Sequence, residues 1–169
     1  MAGDIATALE QTKALLASID VKPADCKELA APSTVPSVDG AAMAVGMSTD
    51  TATGAVTALS LVSGLDQSFL TKVSDSSAQL AKCSSMTMTA SGMENAVTVK
   101  ALPGVSSVPG AVAYRTDSAL PDGRTQSTGT AQAVQKGVVL TSVASGGASE
   151  ADAVQRAGSL LDSAATLVK

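Results

Sequence analysis

Between Leu65 and Leu102 the spacing of apolar residues changes once, and the change falls at a cysteine. Ahead of Cys83, the residues Phe69, Val73, Ser77 and Leu80 recur every three to four positions, while Lys72, Asp75, Ser76 and Lys82 fall on other faces. That is the signature of a helix with one buried stripe. After Cys83, Met86, Met88 and Ala90 alternate with Ser85, Thr87 and Thr89, as in a strand covered on one side. Gly92 and Asn95 mark a turn, and Val97 and Val99 carry the next strand. The helix entry is also legible: Gly64 closes the preceding segment, Asp66 can cap the first turn, and Leu65 and Leu70 sit where a hydrophobic staple would clamp it. The other segments are organised around this helix–cysteine–hairpin unit.

Upstream, Ile5 to Ile19 places Ile5, Ala8, Leu9, Leu15, Leu16 and Ile19 largely on one face of an amphipathic helix. Its polar face is not basic, so it is expected to pack on a sheet rather than on a membrane surface. Pro23 opens a short helical turn carrying Cys26, and Pro32 and Pro36 impose an extended crossover. Ala41 to Met47 and Ala55 to Ser63 read as two strands of a hairpin turned at Gly54. Downstream, Val112, Tyr114 and Thr116 form a strand, and Pro121-Asp122-Gly123 turns into Arg124 to Val134. The threonine and glutamine content of that segment predicts a solvated strand at an edge. Lys136-Gly137 then leads to the apolar, central run Val138 to Ala144. Ser149 and Asp152 resemble a capping box ahead of a helix with Val154, Ala157, Leu161 and Val168 on one face. The sum is an α+β fold, a mainly antiparallel sheet of about six to seven strands with an N-terminal, a central and a C-terminal helix packed on it.

At 169 residues the chain fits a single domain, 1–169. With one Phe, one Tyr and no Trp, the core must be close-packed from Ala, Val, Leu and Met. Phe69 is therefore expected to be its largest buried side chain, and Tyr114 to lie half exposed on a sheet face. A net charge of −4 without a basic cluster argues against nucleic acid. No apolar run approaches the roughly 20 residues that span a bilayer, so membrane contact is expected only through an anchor ahead of this sequence. Two cysteines without a histidine are too few for a zinc site. They are either a disulfide or two buried thiols, and the disulfide Cys26–Cys83 is the expected state, which carries an oxidising, extracytoplasmic setting with it.

Catalytic chemistry is hard to assemble from these residues. There is no histidine, no Ser-x-x-Lys at a helix start, no Gly-x-Ser-x-Gly elbow and no phosphate-binding glycine loop, and the acidic residues are scattered. The chain reads as no enzyme, with no metal and no cofactor. Met43, Met47, Met86 and Met88 lie on predicted strands at period two and can either line an adaptable apolar pocket or fill the core. Tyr114 and Arg115 are candidates for orienting an anionic or polar ligand, against an ordinary solvated sheet position.

Three stretches together resemble the PknH-like extracellular sensor domains of actinobacterial kinases and lipoproteins, over nearly the whole chain. They are Pro23-Ala24-Asp25-Cys26 behind an amphipathic helix; Ala81-Lys82-Cys83 ending a helix before an alternating Ser/Thr/Met strand; and the run GVVLTSVASGG, from Gly137 to Gly147, leading into an alanine-rich terminal helix. The resemblance implies a secreted or lipid-tethered α+β domain with a groove for an unidentified ligand, and it puts Cys26 and Cys83 at disulfide positions. This chain lacks the tryptophan such domains often carry in the central helix and has fewer cysteines than the kinase sensors. A second resemblance, to LpqN-like lipoproteins with a PsbP-type sheet, implies the same compartment. The expected function is a non-enzymatic extracytoplasmic sensor or ligand-binding domain, with a small apolar or envelope-derived ligand. The alternative is a cell-envelope structural or protein-interaction domain with an envelope protein partner and no small ligand. Thiol titration of unfolded, unreduced protein is expected to find no free sulfhydryl; two per chain would remove the argument for an oxidising compartment.

Overall fold

The computed structural model describes residues 14, 17–27 and 40–168. The predicted helix Ile5–Ile19 and the Pro32–Pro36 crossover lie almost wholly outside the described residues. A short strand β1 (Asp20–Lys22) leads through a 3-10 turn (Ala24–Cys26), and the hairpin β2 (Ala42–Asp50) and β3 (Ala55–Ser63) follows. Two helices, α1 (Gln67–Ser74) and α2 (Ser76–Lys82), precede β4 (Ser85–Ala90), β5 (Met93–Ala101), β6 (Val112–Ala119), β7 (Thr125–Gln135) and β8 (Val138–Ser145). The helix α3 (Glu150–Ala165) comes last.

All strands join one antiparallel sheet of eight, in the order β1-β4-β5-β6-β7-β8-β3-β2, so the predicted six to seven strands fall slightly short. The path explains the order. After the β2–β3 hairpin at one edge, α1 and α2 carry the chain across one sheet face to β4, and the meander β4 to β8 walks back until β8 docks on β3. Two of its turns have two-residue loops with both residues at positive φ, Ser91-Gly92 and Lys136-Gly137, the geometry that matches the twist of paired strands.

The central helix starts as its sequence predicts: the Asp66 carboxylate accepts from the Phe69 amide at 2.9 Å. It is not continuous, however. Asp75, with φ −90° and ψ 6°, ends α1 and precedes α2, within a Ser-Asp-Ser-Ser run whose side chains compete for backbone groups. The break shifts the buried stripe: Ser77 is exposed and Ser76 half-buried, while Leu70 and Leu80 are the buried anchors. Leu70 packs with Val62 and Val139, and Phe69 lies only half-buried beside them. Phe69 is thus not the largest buried side chain. Leu80, Leu140 and Leu161 are the largest fully buried ones, and Tyr114, expected half exposed, is 4% exposed in the cluster formed with Leu80, Met86, Val97 and Val99.

On the opposite face lies α3, capped by Ser149 Oγ, which accepts from the Asp152 amide at 3.2 Å. Its buried residues Ala153, Ala157, Leu161 and Ala164 meet Ala131, Ala133, Leu140 and Ala144 of the sheet. The approach is as close as backbone allows: a Cβ on Gly129 of β7 would sit 2.7 Å from the Val154 Cα. Buried Ser142 donates to the Ala157 carbonyl at 2.5 Å. Gly158 opens the outer side of α3 to Val105, and Asp162 fixes that loop by accepting from Ser106 Oγ at 2.5 Å and the Ser107 amide at 2.9 Å. The Ser106 hydroxyl is the main cause holding the Asp162 carboxyl below its ordinary pKa. This docking overturns the reading of Arg124 to Val134 as a solvated edge. The strand β7 is central, because its Gly and Ala positions are the ones that face α3.

Gly129→Ala is expected to push α3 off the sheet and cost about 1–3 kcal/mol in a urea melt, whereas Gly46→Ala, where a Cβ meets nothing within 4 Å, is expected to be neutral. A second pair inverts the sequence expectation. Tyr114→Ala should cost roughly 3–5 kcal/mol and Phe69→Ala distinctly less; the reverse ranking would place the two rings wrongly.

Candidate functional site

The disulfide Cys26–Cys83 is formed, with a Cα–Cα distance of 5.6 Å, and no free cysteine remains among the described residues. It joins the turn after β1 to the exit of α2, where Gln79 Nε2 also donates to the Asp25 carbonyl at 3.0 Å. Both sulfurs are buried with Val21, Met86 and Tyr114.

The four candidate methionines do not meet. Met43 and Met47 are 41% and 75% exposed on β2, whereas Met86 is buried and Met88 half-buried on β4, and five strands separate β2 from β4. Nor do the two polar candidates share a face. Tyr114 points to the α2 side, where burial pushes its phenol up to about 12 while the Thr130 hydroxyl across the strand pair pulls the other way. Arg115 points to the α3 side. There its guanidinium pairs with Asp117 at 2.8 Å and with Glu150, in the first turn of α3, at 2.9 Å. Asp117 also accepts from Ser127 Oγ at 2.5 Å, so one half-buried network ties β6, β7 and the start of α3 together.

Above this network the structure opens a cavity of about 530 Å³ between the β6–β7 hairpin and the β8–α3 connection. Its walls include Arg124, Thr125, Ser127, Gly147, Ser149 and Glu150, a set of hydroxyls, one carboxylate and one guanidinium, with Leu120 and Ala153 as apolar patches. The hairpin wall is self-supporting: Leu120 N donates to the Arg124 carbonyl at 2.8 Å, and Arg124 pairs with Asp122 at 2.6 Å. The opposite wall is held by Arg156, which pairs with Asp152 at 3.0 Å and donates to the carbonyls of Ser145 at 3.3 Å and of Gly146. Of the sequence candidates only Arg115 is linked to this cavity, through its ion pair with the wall residue Glu150. Ser127, Ser149 and Glu150 escaped sequence reasoning as site residues, because only the docking of α3 beside β7 brings them together. Such a site can bind polar groups by hydrogen bonds. Among the described residues no group of three His, Cys, Asp or Glu is placed to hold a metal ion.

The fold, one antiparallel sheet between a two-helix crossover and a terminal helix, is of the α+β class. In particular, it is similar to the crystal structure of the extracellular domain of PknH from Mycobacterium tuberculosis, with a TM-score of 0.60 at 13% identity, over 88% of this chain and 78% of that one. It is also similar to the X-ray structure of an uncharacterised protein from Mycobacterium smegmatis, an Rv0999 ortholog, with a TM-score of 0.54 at 17% identity, over 89% and 76% of the two chains. No family model and no curated protein matches the sequence.

Proposed function

We propose that this chain is a non-enzymatic extracytoplasmic sensor or ligand-binding domain of a secreted protein or cell-surface lipoprotein. The observation that carries the reading is the Cys26–Cys83 disulfide in a fold shared with an extracellular domain, since such bridges persist in oxidising compartments. The ligand seat is the cavity linked to Arg115 through Glu150. Its hydroxyls, carboxylate and guanidinium around two small apolar patches suit a polar, hydroxyl-bearing molecule of the cell envelope. The absence of histidine from the sequence and the engagement of both cysteines support binding without catalysis.

A second reading, a protein-interaction domain without a small ligand, is favoured by one specific observation: every residue of β2 is exposed. Native mass spectrometry of freshly purified, oxidised protein separates the two. A retained non-protein mass is expected, and it should be lost in Thr125→Trp, which fills the cavity from an exposed wall position. A spectrum showing the bare polypeptide alone would overturn the ligand-binding reading and leave the second.

A further inference from the structure

The two edges of the sheet are built in opposite ways. At one end β1 is three residues long, brackets buried Val21 with Asp20 and Lys22, and runs into Pro23; short length, charge and proline are the usual devices that stop an edge from pairing further. At the other end β2 has none of them. It is nine residues long, pairs with β3 in unbroken register without a bulge, contains no Lys or Pro, and carries its single charge, Asp50, at the last position. All nine residues are exposed, and among the described residues no strand pairs with the backbone row turned away from β3. On one face β2 presents Met43, Val45 and Met47, the latter two 62% and 75% exposed, and on the other only Ala44, Gly46 and Ser48.

We infer that β2 is a homodimerisation edge, pairing antiparallel with β2 of a second copy about a two-fold axis at Gly46. The strand is self-complementary in that register. Val45 faces the partner's Met47 and Met47 the partner's Val45 on one side, Ala44 faces Ser48 on the other, and Asp50 faces Ala42, so no like charges oppose in spite of the net charge of −4 per chain. A Cβ at Gly46 meets nothing within 4 Å, so the position on the axis has room for a side chain from either copy. The pairing also closes on itself. It would join two sheets into one whose outer edges are the two protected β1 strands, which leaves no free template for a third copy. The inference is independent of the ligand cavity, which lies on the α3 face.

Sedimentation velocity of the oxidised protein at high micromolar concentration is expected to show a dimer, and Met47→Lys to weaken it at least roughly tenfold, with an unchanged circular dichroism spectrum and melting temperature. Register is read by a second variant. Gly46→Cys sits on the axis, where facing Cα atoms of paired strands lie about 4.5–5.5 Å apart, within disulfide range; it should therefore form a covalent dimer under mild oxidation, faster than Ala42→Cys. A wild-type protein that stays monomeric while Gly46→Cys fails to cross-link overturns the proposal, as does a dimer indifferent to Met47→Lys. Capture of a different chain's strand by a monomeric protein would overturn it equally.

Discussion

The close seating of α3 on β7 and β8 is the contact on which the rest of the molecule depends, and it exists because side chains are missing from it. Ala and Gly bury little apolar area each, so the interface cannot rely on large transfer energies of the kind a buried Leu or Phe supplies, about 1.5–3 kcal/mol apiece. What remains is dispersion between closely apposed backbones, and a gap of 0.5–1 Å already forfeits roughly a quarter to a half of each contact. Gly129 under Val154, and the Ser142 hydroxyl on the Ala157 carbonyl, fix that distance. From the seated helix three anchors reach outward: Glu150 to Arg115, Arg156 to the end of β8, and Asp162 to the loop at Ser106. The first two shape the cavity. A helix held farther out would lose them together, so cavity and core are one construction.

The other end of the sheet solves the same shortage differently. Among the described residues the helical elements around β1 and β4 are short, α2 of seven residues and a 3-10 turn. Isolated, neither element would hold, because so short a helix is marginal without tertiary support. The disulfide supplies that support. Closing a loop with a sequence separation of 57 removes unfolded-state freedom worth ~4 kcal/mol in the chain-entropy account, comparable to one or two large buried side chains. Tyr114 and Leu80 fill the space beside it.

Local rules were legible in the sequence, and relations between distant strands were not. Asp66 and Ser149 announced their helices because a cap is a contact within three residues, and the turn at Lys136-Gly137 did so because positive φ selects glycine. For the cysteine pair the missing histidine removed a zinc site but left a disulfide and two buried thiols both open, with the disulfide as the expected state. Position within the sheet was misread for β7. Polarity was taken for exposure, yet Thr130 is 1% exposed there. The break at Asp75 did have a signal, the run of four cap-forming residues. By contrast, the separation of the methionines, and the opposite facing of Tyr114 and Arg115 toward different helices, follow from strand order and sheet packing that no local pattern carries.

The exposure of β2 is not an unavoidable result of having too few helices. Eight strands spaced about 4.8 Å apart span roughly 34 Å, whereas a helix is about 10 Å across, so α3, the one described helix on its face, leaves some strands there uncovered by the described residues. The strand β5 meets that condition in the ordinary way. Its covered side carries Val97 and Val99, and its open side Glu94, Ala96, Thr98 and Lys100, all exposed and mostly polar. The strand β2, open on both sides, does the opposite and turns Met43, Val45 and Met47 outward without a polar residue between Ala42 and Met47. The polar row of β5 faces water on the α3 side, whereas the apolar row of β2 lies on the other face, in register with Val62, and only the polar one is stable against water by itself. The apolar one makes physical sense when a further strand lies beside it.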